Sequence, residues 1–222
     1  MGTCRYCGKG GLFRAVDVNG LCDGCRRPVL LSISSTRRVL DESIKLAQTG
    51  KTLSTRLGRW DLIVEKAGHL LELERRGIPT FDPPPSQLIV IAKRERRAAL
   101  IAGLQEELAS AEGKVELAAT PAARVNAFAK TVEAIQEARR SSAGDEELDR
   151  ELQALEEKAR TRRREVQLEN MLDVARKAQF KGQIAKAIDG YRDVLYELER
   201  DPGEHTSEIA ALESLISELR PG

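Results

Sequence analysis

From residue 35 onward the chain repeats one pattern: a small polar residue able to cap a helix, apolar side chains returning every three or four positions, and a stop. The first run, about 35 to 49, aligns Val39, Leu40, Ile44 and Ala47 and ends at Gly50. The second, about 53 to 76, spaces Leu53, Leu57, Trp60, Val64, Ala67 and Leu71 by 4, 3, 4, 3 and 4, a seam suited to a neighbouring helix. It stops at Gly77-Ile78-Pro79, residue types that suit a left-handed cap followed by a break. Ser86 caps a third run that begins with Leu88, Ile89, Ile91 and Ala92 and continues through Leu100, Leu104, Leu108 and Ala111. Thr120-Pro121 opens a fourth, with Val125, Phe128, Val132 and Ile135 aligned and proline where the first helical N–H lacks a partner in any case.

A fifth run, from Asp145 to about Phe180, carries Leu148, Leu152, Leu155, Ala159 and Val166 along a heptad-like seam. The seam asks for an apolar residue at position 162, where Arg162 stands within RTRRR, so a kink or a change of packing partner is expected there. Residues 175 to 202 read as a helical hairpin turning at Gly182, with small Ala175 and Ala187 at a close crossing and Tyr191 as an aromatic wedge. A last helix, about 207 to 219, offers Ile209, Leu212, Leu215, Ile216 and Leu219. The expected fold is mainly α, about seven helices in an elongated bundle or an array of helical hairpins. The breaks divide it into a head (1–30), a helical hairpin (31–80), a Pro-rich linker (81–87) and a helical domain (88–222).

The head follows a different rule. All four cysteines fall within the first 25 residues, spaced Cys4-x2-Cys7-x14-Cys22-x2-Cys25. Two-residue gaps let the chain turn tightly and aim both sulfurs at one ion, and the longer insert brings the second pair round to complete a tetrahedron, the pattern of a structural Cys4 zinc site. A rubredoxin-type iron centre and disulfides are the other readings of the same spacing. Four thiolates fill a tetrahedron and leave no position for water or substrate, so the expected zinc folds the head and performs no chemistry. Between the pairs, Leu12, Phe13, Val16 and Val18 lead into Asn19-Gly20, which predicts a short β-hairpin. Phe13 suits the small core beneath the metal.

Composition sharpens this picture in two ways. Charged residues reach 32% and aromatics only 4%, the balance of long solvated helices. The net charge of +1 hides a basic head: residues 1–40 hold seven cationic side chains and two carboxylates. Arg5, Lys9, Arg14, Arg26 and Arg27 have few acidic neighbours there and are the candidates for contact with nucleic acid. No run approaches the length of a membrane span, and no signal-like segment opens the chain, so a cytoplasmic protein with reduced cysteines is expected.

No catalytic constellation is evident along the chain. The two histidines, His69 and His205, have no recognisable nucleophile partner, and no phosphate-binding glycine loop, nucleophile elbow or HExxH pair occurs. Glu106-Glu107, Glu146-Glu147 and Glu156-Glu157 are helix neighbours pointing about 100° apart and read as solvated faces. The basic clusters Lys93–Arg97 and Arg160–Arg164 read as members of helical ion pairs.

The cysteine spacing and its intervening turn resemble the zinc-ribbon and treble-clef class over residues 1 to 30, a likeness specific for metal and silent on partners. Pro28, three residues after Cys25, would fall in the first turns of a treble-clef helix, which favours a ribbon or a truncated clef. The whole plan, with TLSTRLGRWDLIVEKAGHLLELERRGI at 52 to 78, is similar to uncharacterised bacterial and bacteriophage proteins that carry a short Cys4 head before helices. The C-terminal segment, about 168 to 220, resembles a single tetratricopeptide-type hairpin. Together these features point to a non-enzymatic adaptor with one structural zinc, engaging a protein partner or a second copy through helical seams such as Leu57, Trp60, Val64 and Leu71. The alternative is a regulatory protein that binds nucleic acid through the basic head. No small-molecule substrate is evident.

Overall fold

A computed structural model of the chain describes residues 2–11, 15–142, 144–200 and 205–219. Among them run seven helices: α1 Asp23–Thr49, α2 Leu53–Arg75, α3 Pro85–Leu117, α4 Pro121–Ser141, α5 Glu146–Phe180, α6 Ile184–Glu199 and α7 Thr206–Leu219. Thr120 and Asp145 cap α4 and α5 as expected, accepting the backbone N–H of Ala123 and Leu148, and Thr52 accepts that of Thr55 at the start of α2. Ser86, expected to cap α3, lies inside its first turn instead, because the helix already starts at Pro85 and the Leu88 N–H donates to the Pro84 carbonyl at 2.9 Å. Two compact units result, Met1–Gly103 and Leu104–Gly222.

Two expectations about the head are corrected. Among the described residues there is no strand, only one antiparallel bridge between Val16 and Cys22, so the β-hairpin reduces to a turn. The reason lies in Asp17, whose Oδ1 accepts the N–H groups of Asn19 and Leu21 at 2.9 and 2.8 Å and draws the backbone away from a ladder. Leu12, Phe13 and Arg14 lie outside the described residues, and with them the proposed place of Phe13 beneath the metal.

The second correction concerns α1, which opens at Asp23 rather than near Ser35 and contains Pro28. Ser34 and Ser35 are not caps; their hydroxyls donate to the carbonyls of Leu31 and Ser32 within the helix, each at 3.0 Å. Pro28 removes the bond its N–H would have made to the Gly24 carbonyl, one turn inside the helix. The turn survives because Cys22 and Cys25 fix it from the other side: the N–H groups of Cys25 and Arg26 both donate to the Cys22 carbonyl at 2.9 Å. The second cysteine pair therefore stands at the start of a long helix, the arrangement that Pro28 is expected to disfavour.

In the first unit α1 packs against α2 around two apolar clusters. Near the head, Cys4, Leu21 and Cys22 meet Val29 and Ile33 of α1 and Leu70, Leu73 and Ile78 at the far end of α2. Further along, Leu40 and Ala47 meet Trp60, Ile63 and Ala67 of α2 and Leu88 and Ala92 of α3. Phe81, in the Pro-rich turn, packs against both clusters and joins them. Each fully buried Leu or Ile among these side chains contributes about 1.5–3 kcal/mol.

In the second unit α5 is packed by α4 and α6, and α6 by α7. Phe128, Val132 and Ile135 of α4 are buried, as are Leu148, Leu152, Leu155 and Ala159 of α5. Ala175, Ala178, Ala187, Tyr191, Val194, Leu212 and Ile216 form the core of the C-terminal helices. The close crossing expected at Ala175 is real, and its partner is Gly190: a Cβ there would stand 3.0 Å from that of Ala175. α5 runs unbroken through Arg162, whose guanidinium turns to Glu165 at 2.7 Å.

Candidate metal centre

The first pair of cysteines sits on a tight knuckle. The Cys4 N–H donates to the Lys9 carbonyl at 3.1 Å, and the Gly8 N–H returns to the Cys4 carbonyl at 2.9 Å. Gly8 adopts φ +69°, a conformation that costs glycine little and other residues more, so its place directly after Cys7 is a backbone requirement. The second pair comes from the start of α1, with Cys22 in the N-cap position at φ −78° and ψ 161° and Cys25 in the first turn.

These two supports bring Cys4, Cys7, Cys22 and Cys25 together so that all four sulfurs lie within 4.8 Å of one another. All four are free thiols. The Cys7 and Cys22 sulfurs are 3.9 Å apart, against about 3.8 Å between sulfurs on a tetrahedral ion with bonds of about 2.3 Å. Four convergent thiols, with Cys4 and Cys22 buried and Cys7 exposed, suit a single tetrahedral metal ion of the zinc or iron type.

The surroundings favour a thiolate at Cys4. Its thiol is lowered to about 6, chiefly by hydrogen bonds from the backbone of Cys7 and then of Cys22; the Cys22 N–H lies 3.4 Å from its sulfur. Cys25 is pushed up to about 12, first by burial and then by the crowding of Cys22, Cys7 and Cys4. A cluster in which one thiol ionises readily while its neighbour resists is one that a divalent cation relieves, since the ion supplies the positive charge the site lacks.

Two of the basic residues of the head are engaged within the protein. Arg5 donates to the Gly77 carbonyl at 2.5 Å, and Arg26 faces Asp17 at 3.5 Å. Lys9 and Arg27 are exposed. The candidate seam is divided too: Trp60 is buried and Val64 packs beside it within the first unit, while Leu57 and Leu71 are partly buried. His69 lies exposed at the edge of a cleft of about 570 Å³ between α1 and α2 whose lining includes Ser32, Thr36, Glu72 and Arg76, the last two paired at 2.8 Å. Within the RTRRR cluster Arg160 pairs with Glu156 one turn away at 2.6 Å, as expected, whereas Arg164 donates to the Glu197 carbonyl of α6 at 2.9 Å.

Two features were not visible in the sequence. Glu156, expected on a solvated face, is buried, with Gln136 donating at 3.0 Å and Arg139 at 2.8 Å. These partners lie on a different helix, and only the α4–α5 packing brings them round. The other is a trough of about 320 Å³ along α5, floored by Gln167, Asn170, Met171 and Val174 and walled by Val125 of α4 and Asp193 of α6. It exists because α4 and α6 both pack on α5 and, among the described residues, not on each other. Asn170 stands at its base and donates to the Pro121 carbonyl at 3.2 Å. Among the described residues no helix is long and apolar enough to cross a membrane. Comparison with protein-family models, with curated proteins and with solved structures finds no match to the chain.

Proposed function

We propose that the chain is a non-enzymatic adaptor: a single structural zinc fastens its head to a pair of helices, and its helical surfaces engage another protein. The observation that carries this reading is the fate of the four cysteines. Their sulfurs converge on one point, and Cys4 and Cys22 are at the same time members of the apolar cluster that binds α1 to the end of α2. A metal held by four thiolates in the middle of a packing interface has no open coordination position, so its contribution is to folding.

The partner surface we favour is the trough along α5. Its lining is mostly apolar, and Asp193 is the one charge among the lining residues described. Such a surface suits a polypeptide segment that places an apolar side chain beside a lysine or arginine. The basic head supports the nucleic-acid alternative less well, because Arg5 and Arg26 are engaged within the protein.

Native mass spectrometry of the full chain, purified without added metal, tests the reading. One zinc per chain, together with a protein partner or a second copy that Val174→Lys displaces, is the expected result. Bound oligonucleotide lost on substituting Lys9 and Arg27 would replace the adaptor with the alternative, and a chain with no metal and two disulfides would refute the zinc.

A further inference from the structure

We propose that Arg5, Tyr6 and Arg76 make the metal centre a lock on the turn between α2 and α3, so that metal occupancy sets the order of residues 74–88. This rests on the zinc reading above and adds a consequence to it.

A chain of contacts leads out of the site. Arg5 and Tyr6 lie between the first two cysteines, so the knuckle that aims Cys4 and Cys7 also aims them. Arg5 extends to the Gly77 carbonyl at 2.5 Å, directly past the last turn of α2. From the other side Arg76 donates to the Tyr6 carbonyl, and its guanidinium lies 5.9 Å from the centroid of the Tyr6 ring. The two arginines thus cross in opposite directions, each ending on a backbone carbonyl of the other's segment. Beneath them Leu21, 1% exposed, packs with Leu70, Leu73 and Ile78.

The contacts continue into the next helix. Gly77 adopts φ +67° and, with Ile78, sends its N–H back to α2, to the carbonyls of Glu74 and Leu73 at 2.8 and 3.0 Å. Glu74 then turns its carboxylate to the start of α3, where it accepts the Ser86 N–H at 2.8 Å and the Ser86 hydroxyl at 2.5 Å. A side chain at the end of one helix therefore caps the next. The head braces the place from which that cap is offered. With the knuckle unfolded, both arginine contacts and the Leu21 contact are lost together, and the turn keeps only its own hydrogen bonds.

Hydrogen exchange on the full chain tests this, with zinc content read in parallel by native mass spectrometry. In the wild type, removing zinc with a chelator should speed exchange of the Arg76–Ile78 and Ser86–Leu88 amides about tenfold, with the Ala187 amide of the second unit unchanged. The double variant Arg5→Met, Arg76→Met keeps the packing stems and removes both donors. It should still hold one zinc while exchanging these amides quickly with or without it. A wild type that binds zinc but whose turn ignores its removal overturns the lock and leaves the metal site standing. So does a zinc-loaded double variant as protected as the wild type. A wild type that binds no zinc overturns the metal reading itself. Should the double variant misfold, the wild-type comparison decides alone.

Discussion

Cys7 and Cys22 differ in burial, and that difference separates two consequences of the same substitution. Either change to serine removes one of four sulfurs, and the remaining three should fail to hold zinc at the strength of the full set. Cys22 also packs against the end of α2, whereas Cys7 is exposed. Cys7→Ser and Cys22→Ser should both lose the metal and the order of the head while keeping most of the helical circular dichroism, with Cys22→Ser the less stable of the two. Retention of metal and head structure in both would remove the zinc assignment. Glu156 gives a second prediction at this scale. Its carboxyl is held below the usual range, by the Gln136 hydrogen bond first and then by Arg139 against the opposing effect of burial, and on unfolding it returns to about 4.3. A carboxyl depressed by folding contributes stability that is complete above the unfolded value and lost as pH falls through the native one. Thermal midpoints of the wild type should therefore drop more steeply than those of Glu156→Gln as pH is lowered below about 5. Asp149, depressed by the same arginine, leaves the variant a residual slope, so the comparison to make is of slopes.

Among the elements, the crossing of α5 and α6 is the most exacting. Gly190→Ala would set a Cβ 3.0 Å from the Ala175 Cβ and 3.3 Å from its Cα, a crowding that costs about 1–3 kcal/mol where the crossing is rigid against the ~1 kcal/mol that alanine gains over glycine inside a helix. Tyr191→Phe beside it keeps the packing and loses only the hydroxyl's bond to Gln179 at 2.6 Å, for about 1 kcal/mol. Denaturant titrations in which Gly190→Ala stabilises the protein by the full ~1 kcal/mol of its helix propensity would mean that the crossing is looser than described. That small residues meet here was legible from Ala175, because close helices need small side chains somewhere; that the opposing one is Gly190 depends on register between helices, which periodicity along one helix does not carry. The same distinction runs through the molecule. Helices with a clear apolar stripe and a capping residue, such as the one opened by Thr120-Pro121, are readable from local signals. α1 was misread at its start because Pro28 and the Ser34-Ser35 pair carry the local chemistry of a break. What overrides them is the anchoring of Cys22 and Cys25 and the packing of Val29 and Ile33 against α2, both tertiary. The cysteine cluster is legible for the opposite reason: two x2 gaps restrict the geometry locally. The trough along α5 was not, since it is defined by two helices failing to meet.

At the scale of the molecule, the two units should answer differently to loss of metal, and the chain carries a reporter for one of them. Trp60 is the single tryptophan and is 6% exposed in the second cluster of the first unit. It belongs to a different cluster from the cysteines, but Phe81 packs against both its cluster and the one containing Cys4 and Cys22, so a loosened head withdraws support from the residues around the indole. A metal that binds the folded head and is present at a thousandfold excess over its dissociation constant stabilises by about 4 kcal/mol. In a unit of roughly a hundred residues, that corresponds to a shift on the order of 10 °C or more in the midpoint. Chelation should therefore lower the melting transition seen by Trp60 fluorescence by that amount. Circular dichroism at 222 nm, which also samples α4 to α7, should resolve a second transition that chelation leaves in place and that Tyr191→Phe moves. One transition that shifts as a whole on chelation would make the zinc a support for all seven helices. A Trp60 transition indifferent to chelation, in a protein shown to carry zinc, would confine the metal's effect to the head and cut the connection assigned to Phe81.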